Sequence, residues 1–575
     1  MNVAATPAVV RLPVWRARFV LIVFIAAFGV LVGRSVYLQA MKTDFLQEKG
    51  EARYSRVLEI PATRGRVFDR NGEALAVSTP VKSIWVIPSD VEAGAQAKAK
   101  LAHLLGLSVR EVAKKLAETD RDFVYLKRQV APDTAEKVDA LGIPGVYQQQ
   151  EYRRYYPAGE VTAHLIGFTG VDDTGQEGIE LAYQSTLGGK PGSRRVIKDR
   201  LGRIVEDVGS VHPAQNGKDL TLSIDSKVQS LAYSALKDAV AAHHAKAGAI
   251  VAIDVRTGEV LALANVPSYN PNNRAHLTGS QLRNRALTDS FEPGSTLKPF
   301  TIALALETKH ITPATRVQTD GGKFRLGGYT IHDAHKDGIL SVAQVIQVSS
   351  NVGAAKIALE LPREQMWDMF RRVGFGAPPA LGFPGESGGK LRPWKTWRPI
   401  EQATMAYGHG IAVSLMQLAH AYTIFARDGE LVPLTLLRTS TPVQGERVIS
   451  VRTAREVRRM LELAVQPGGT GPLARVMGWR VAGKTGTAHK EQDGGYAPDK
   501  YIASFVGFAP ASAPRIVLAV MIDQPDVRLD YYGGLVAAPV FAQVMQGILR
   551  MLNVPYDAPL EPLDAPGAVV AKEGT

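Results

Sequence analysis

Three kinds of hydrophobic pattern follow one another along this chain. The first is an uncharged run from Phe19 to Gly33, FVLIVFIAAFGVLVG, preceded by Arg11, Arg16 and Arg18. Its 15 residues fall short of the about 20 that a bilayer core needs. Apolar character resumes after Arg34 with Val36, Tyr37 and Leu38. A helix from Phe19 to about Ala40 therefore spans a membrane if Arg34 snorkels to the far interface. Three arginines and no acid before the run predict a cytoplasmic N-terminus, residues 1–18, with the rest of the chain outside. A cleaved signal peptide would show a small-x-small site directly after the apolar run; none follows, so the expectation is an uncleaved anchor over 19–40.

The second pattern mixes short alternating runs with helical periods. Arg64–Val77 reads as a hairpin turning at Asn71-Gly72. Helical periodicity appears over Ala97–Leu105, Val109–Leu116 and Ala131–Leu141. Two turn-rich stretches, Arg154–Gly159 and Gly175–Glu180, read as ordinary turn chemistry. Residues 41–215 are accordingly expected to form a non-catalytic module.

The third pattern begins near Gly217. A helix is predicted from Lys227 to about His243, then a hairpin of Ala249–Asp254 and Glu259–Ala264 around Arg256-Thr257-Gly258. Far downstream, Arg480–Thr487, Ile502–Phe508 and Ile516–Asp523 read as three successive strands, and Ala537–Leu552 as a closing helix. Strands at both ends with helices between them predict one sheet assembled from distant segments and covered by helices. The domain expected over 216–555 is followed by an Ala-, Pro- and Gly-rich tail, 556–575, expected to be unstructured.

Composition narrows this picture. A chain of 575 residues is too long for one ordinary core, and no repeat of fixed period is present. The net charge of +12 favours anionic partners, but Lys and Arg are dispersed and no nucleic-acid motif accompanies them, so nucleic acid is not an expected partner. The absence of cysteine excludes thiol catalysis, cysteine zinc sites and disulfides. His409 and His489 have no His-x-x-x-His or carboxylate partner in sequence; no metal or other cofactor is expected, and His489 reads as a rim residue.

Three short segments carry candidate chemistry: Ser295-Thr296-Leu297-Lys298, Ser349-Ser350-Asn351 and Lys484-Thr485-Gly486-Thr487. Each alone is weak, and Ser-x-Asn recurs at Ser268-Tyr269-Asn270. Their order behind an export anchor is what makes them informative. Phe291-Glu292-Pro293-Gly294 breaks the chain before Ser295, and Leu297–Leu306 is a plausible helix, so Ser295 and Lys298 share one face. A serine hydroxyl needs a base near neutral pH, and lysine serves if burial or nearby positive charge, here from Lys484, lowers its pKa. On a strand, Lys484 and Gly486 face one way, Thr485 and Thr487 the other. Gly486 then leaves room for a substrate backbone beside the strand, and the threonine hydroxyls suit a carboxylate.

With these segments in view, the chain resembles the class B penicillin-binding proteins, and within them the septal cell-division branch. Phe291–Lys298 (FEPGSTLK), Tyr407-Gly408-His409-Gly410, Lys484–Thr487 and Tyr531–Phe541 carry the resemblance, together with the anchor, Arg64–Gly72, Arg154–Gly159 and Gly175–Glu180. The resemblance implies an α+β multidomain protein: a transmembrane helix, an elongated mixed α/β pedestal of the dimerisation type, and a β-lactamase-like transpeptidase domain. It implies that Ser295 attacks the terminal D-Ala-D-Ala bond of a peptidoglycan stem peptide, that Lys298 is the base, and that Ser349 relays the proton to the leaving group. Asn351 would hold the stem-peptide amide, Lys484 supply electrostatics, Thr485 and Thr487 bind the carboxylate, and the N–H groups of Ser295 and Thr487 form the oxyanion hole. An amine of a second stem peptide would accept the acyl group, and β-lactams would trap Ser295. Ser350 stands where a β-lactamase often has Asp. No glycosyltransferase module precedes Gly217, so the resemblance further implies a polytopic glycan polymerase and other division proteins as partners at the inner membrane. The alternatives are a β-lactam hydrolase or sensor, an elongation-type transpeptidase, a D,D-carboxypeptidase and a division scaffold.

Overall fold

The computed structural model describes residues 13–41, 55–121, 123–198, 204–439, 441–492 and 495–560. The apolar N-terminal run is a helix, α1, Val14–Val36, continued by one π-helical turn over Tyr37–Met41. It starts five residues before the expected Phe19 and takes Trp15, Arg16 and Arg18 into its first turns. At about 1.5 Å per residue its length is about 34 Å, enough for a hydrocarbon core of about 30 Å. The most apolar 18-residue stretch of Val14–Gln39 has a mean hydropathy of 2.4, and none of it is buried against protein.

Chain contacts divide the protein into two compact units that do not follow the linear order. The first comprises 1–62, 81–151 and 190–216. It contains a three-stranded antiparallel sheet of Ser55–Ile60, Gly192–Lys198 and Ile204–His212. The three helices predicted by periodicity appear at Ala95–Leu105, Val109–Leu116 and Pro132–Asp139. Val109–Leu116 is fixed at its start by Ser108, which accepts from Glu111 N while the Glu111 carboxylate accepts from Ser108 N. Leu101, Leu105, Val112 and Val138 of these helices, with Leu126 of the strand Val124–Val130, bury a small core.

The second unit comprises 63–80, 152–189 and 217–575. Two stretches expected in the non-catalytic module therefore pack with the chain after Gly217. The Arg64–Val77 hairpin forms as predicted, with Val67 opposite Ala76 and Phe68 opposite Ala74. The turn-rich segments are more than turns. Glu180 is fully buried and its two carboxylate oxygens each meet one guanidinium at 2.6 Å, Arg64 Nε on one side and Arg154 Nε on the other. Arg64 also donates to the backbone oxygen of Glu180 at 2.7 Å. Three separate sequence segments thus converge on one buried Arg–Glu–Arg triad.

The centre of this unit is a five-stranded sheet. Its strands are β1 Ala247–Asp254, β2 Val260–Val266, β3 Ala482–Gln492, β4 Gly495–Ala509 and β5 Ile516–Asp523. The order is β2-β1-β5-β4-β3, every pair antiparallel. Antiparallel sheets often leave one face to water, but here both are covered, which is why β1 and β5 read as unbroken apolar runs. Ile250, Ala252, Leu518 and Val520 face a core shared with α2 Ser226–Ala242 and the closing helix Ala538–Met551. Ala249, Val251, Val517 and Ala519 face the larger core of the central helices. The domain is therefore helix, sheet, helix in layers, with β2 and β3 at the two edges of the sheet. Packing continues beyond residue 555: Tyr556 lies 4.4 Å from the Trp479 ring, and Asp557 accepts from Arg480 N and the Ser512 hydroxyl. Residues 561–575 of the expected tail lie outside the described residues.

Candidate active site

The nucleophile turn is built where Pro293 and Gly294 interrupt the chain. Gly294–Leu297 is a single 3-10 turn that runs directly into α3, Lys298–Glu307. Phe291 pairs with Val413 in a two-residue ladder just before it. The turn is pinned by Thr296, whose hydroxyl donates to Pro293 O at 2.7 Å and whose carbonyl accepts from the buried Tyr422 hydroxyl at 2.7 Å. Gly408 lies against it: its φ is +90°, and a Cβ there would sit 2.1 Å from Gly294 O. The Tyr407–Gly410 segment is thereby tied to the serine turn by a backbone approach that admits no side chain.

Ser295 and Lys298 are both buried, and Lys298 Nζ lies 2.7 Å from Ser295 Oγ. The same nitrogen lies 2.8 Å from Ser349 O, 2.9 Å from Ser349 Oγ and 2.7 Å from Asn351 Oδ1. Ser349 O and Asn351 Oδ1 can only accept, so they take two N–H bonds. The remaining direction faces the two serine hydroxyls. In a neutral amine that direction is the lone pair, aimed at the serine hydroxyls.

Ser349 and Ser350 join α4, Val342–Gln347, to α5, Asn351–Leu359. Ser349 adopts φ +65°, a left-handed conformation uncommon for serine, and this turns both its carbonyl and its hydroxyl onto Lys298. Ser350 caps α5, accepting from Gly353 N at 2.9 Å. Asp333, which no sequence motif marks, completes the cap: it accepts from Ser350 Oγ at 2.6 Å and from Asn351 N and Val352 N at 2.5 and 2.9 Å. Asn351 Nδ2 donates to His332 O at 3.1 Å, which orients Oδ1 toward Lys298. The second Ser-x-Asn, at Ser268, lies elsewhere: Ser268 donates to Glu160 O.

Lys484, Thr485, Gly486 and Thr487 lie in the middle of β3, opposite Val506, Phe505, Ser504 and Ala503 of β4. Successive residues alternate faces as expected. Thr487 Oγ1 accepts from Gly533 N at 3.0 Å on one side. On the other, a Cβ at Gly486 would lie 2.8 Å from Pro293 O and 2.9 Å from Thr296 Cγ2. Gly486 is therefore needed to seat the nucleophile turn on the strand, a packing role the sequence did not suggest. Gly294 approaches the same strand from the turn, and a Cβ on it would sit 3.2 Å from Thr487 O. Lys484 Nζ is held by Thr470 Oγ1 at 3.2 Å and Thr485 Oγ1 at 3.1 Å, and the two threonine hydroxyls are 2.7 Å apart. Thr470 follows a Gly-Gly pair in sequence and carried no signal of its own.

An aromatic and histidine rim flanks these groups. Tyr407 lies 5.2 Å from the His409 ring, and Tyr496 6.0 Å from it. Glu292 accepts from the Tyr496 hydroxyl at 3.0 Å and from Gly410 N at 2.6 Å, and its burial raises its pKa. Burial, then the positive charge of Lys298, pushes the His409 pKa down to about 4, so this ring is neutral near pH 7. His489 stacks at 4.4 Å from Tyr501, whose ring is 4.2 Å from Tyr531.

A serine in hydroxyl contact with a buried lysine one turn further on, closed by a Ser-x-Asn turn and an edge strand, defines the class of active-serine, penicillin-recognising acyltransferases. Sequence comparison identifies the branch. Residues 248–546 match the penicillin binding protein transpeptidase domain and residues 59–222 the penicillin-binding protein dimerisation domain. The chain belongs to the penicillin-binding proteins. It is 43% identical to the probable peptidoglycan D,D-transpeptidase PenA of Neisseria gonorrhoeae, over 96% of this chain and 94% of the relative. It is 42% identical to the peptidoglycan D,D-transpeptidase FtsI of Escherichia coli (strain K12), over 95% and 93%. Among solved structures, the transpeptidase domain of Burkholderia pseudomallei penicillin-binding protein 3 is 53% identical with a TM-score of 0.55, covering 59% of this chain and 98% of that one. The two matched domains are the two-domain architecture that the resemblance implied.

Proposed function

We propose that this protein is a septal peptidoglycan D,D-transpeptidase working through a Ser295 acyl-enzyme. The observation that carries the reading is the 2.7 Å approach of Lys298 Nζ to Ser295 Oγ inside a buried, acceptor-lined pocket. Lys298 takes the Ser295 proton as Oγ attacks the carbonyl carbon of the D-Ala-D-Ala bond. The tetrahedral oxyanion sits on the N–H groups of Ser295 and Thr487. Ser349 Oγ, 2.9 Å from Lys298, passes the proton to the departing D-Ala nitrogen. Asn351 holds the stem-peptide amide, Lys484 contributes positive charge, and Thr485 and Thr487 bind the terminal carboxylate, while Gly486 lets the Ser295 turn pack against the strand. A side-chain amine of a second stem peptide then attacks the ester and frees Ser295. β-Lactams, which mimic D-Ala-D-Ala, stop at the ester.

In this reading α1 is a single-pass inner-membrane anchor with the N-terminus cytoplasmic and the catalytic domain, 216–555, in the periplasm at the division septum. Residues 41–215 supply the non-catalytic pedestal, of which 63–80 and 152–189 belong to the same compact unit as the catalytic chain. A polytopic glycan polymerase and other division proteins supply the glycan strands and the activation. The test is D-Ala release from a stem-peptide donor with and without an amine acceptor. Cross-linked product that grows with acceptor supports the reading; release independent of acceptor, without cross-links, makes the enzyme a carboxypeptidase.

A further inference from the structure

A cavity of about 1070 Å³ opens in the catalytic unit, and no residue of the three motifs lines it. One face of α6, Val451–Val465, forms a wall; the turn joining β4 to β5 and the chain after the closing helix form others. Eight arginines line it against three carboxylates, Asp428, Glu430 and Glu462, and no lysine is present. The excess is five positive charges, reduced to four by Asp254, which pairs with Arg515 at 2.6 Å.

The carboxylates inside the cavity are already gripped. Asp428 meets Arg455 and Arg458, each at 2.7 Å, and Arg458 is further fixed by donating to Phe425 O. Glu430 meets Arg447 at 2.8 Å, and Glu462 meets Arg480 at 2.7 Å. Two guanidinia remain: Arg256 and Arg459 are exposed and make no ion pair or side-chain hydrogen bond among the described residues. Two exposed guanidinia without a carboxylate in a positively charged concavity mark a place for an anionic partner.

The geometry points to a carboxylate-rich peptide segment of a partner protein as the occupant. Guanidinium forks bind carboxylates in the plane, as Arg455 already does with the two oxygens of Asp428. The cavity's volume slightly exceeds the roughly 300–1,000 Å³ of small-molecule sites and is far more than a single phosphate fills. Such a docking site is independent of the proposed activity and lies outside its machinery.

The test uses the full-length chain in detergent and a fluorescein-labelled eight-residue glutamate peptide at low ionic strength, with the glutamine peptide as control. The Arg256→Glu, Arg459→Glu double variant leaves every ion pair described above in place. The glutamate peptide binds the wild type, the glutamine peptide does not, added salt weakens binding, and the double variant weakens it by about tenfold or more. Unchanged labelling of the variant by fluorescent penicillin shows that its fold is intact. Equal affinity of wild type and variant, or equal binding of the glutamine peptide, overturns the proposal. So does tighter, variant-sensitive binding of dihexanoyl phosphatidylglycerol, which makes the site one for a lipid headgroup.

Discussion

Asp333 accepts the Ser350 hydroxyl at 2.6 Å while its other oxygen takes the N–H groups of Asn351 and Val352. The carboxylate thus sits on the N-terminus of α5, where the helix dipole favours negative charge. From there it holds Ser349 in its left-handed conformation and Asn351 Oδ1 on Lys298. Asp333→Ala is expected to slow acylation by a fluorescent penicillin by roughly a hundredfold, because a displacement of about 1 Å at Ser349 and Asn351 misplaces the proton path. Asp333→Asn, which keeps one acceptor oxygen, loses less. Acylation rate constants of the two variants at equal active-protein concentration check this; wild-type rates for Asp333→Ala would remove Asp333 from the site's construction.

Gly486→Ala places a methyl group 2.8 Å from Pro293 O and 2.9 Å from Thr296 Cγ2. One of these is backbone, so the nucleophile turn must move. A loss of about 1–3 kcal/mol is expected from the overpacking, with acylation falling further than stability. Thermal unfolding and penicillin labelling of the same preparation separate the two effects.

The Glu180 triad is buried on all sides, so removing its carboxylate strands two guanidinia. Glu180→Gln is expected to destabilise the protein by about 3–5 kcal/mol. The urea midpoint reads this; an unchanged midpoint would show that the triad contributes nothing to stability.

His164, His409 and His420 are all buried, and burial holds each pKa at about 4, below the ordinary 6.5. The unfolded chain therefore binds more protons than the folded one between pH 6.5 and 4. Each histidine contributes stability that is complete above about 6.5 and is lost as pH falls through this window, at about 1.4 kcal/mol per pH unit. Asp173 acts in the opposite sense: burial raises it to about 6, so stability from this group declines as pH rises from 3.8 to 6. His420, whose Nε2 lies 2.6 Å from Val432 O, is far from the motifs in sequence and isolates the effect. His420→Gln is expected to flatten the loss of stability between about pH 6.5 and 5 relative to wild type, measured as urea midpoints across that range.

Most elements were legible because their periodicities are strong. β1, β5 and the helices at Val109–Leu116 and Ala538–Met551 lie within two residues of expectation. The contact of Ser295 with Lys298 was legible because the two residues are local and one helical turn brings them together. The partners of that pair were less so. Asp333 and Thr470 reach the site only through tertiary packing, and their neighbours in sequence give no pattern. The Arg64, Arg154 and Glu180 segments read as turns because an ion triad made over separations of 26 and 116 residues leaves no periodic trace. Gly486 was legible as a glycine on a strand, but the direction its missing side chain faces was not.

Ser295 as the acylated nucleophile and Lys298 as its base stand or fall together on one experiment, labelling with a fluorescent penicillin followed by peptide mass spectrometry. One stable adduct is expected, on the peptide carrying Ser295. It is absent from Ser295→Ala and forms about a thousandfold or more slowly in Lys298→Gln, which removes the base. An adduct that persists on Ser295→Ala, or that maps to another residue, would refute both assignments.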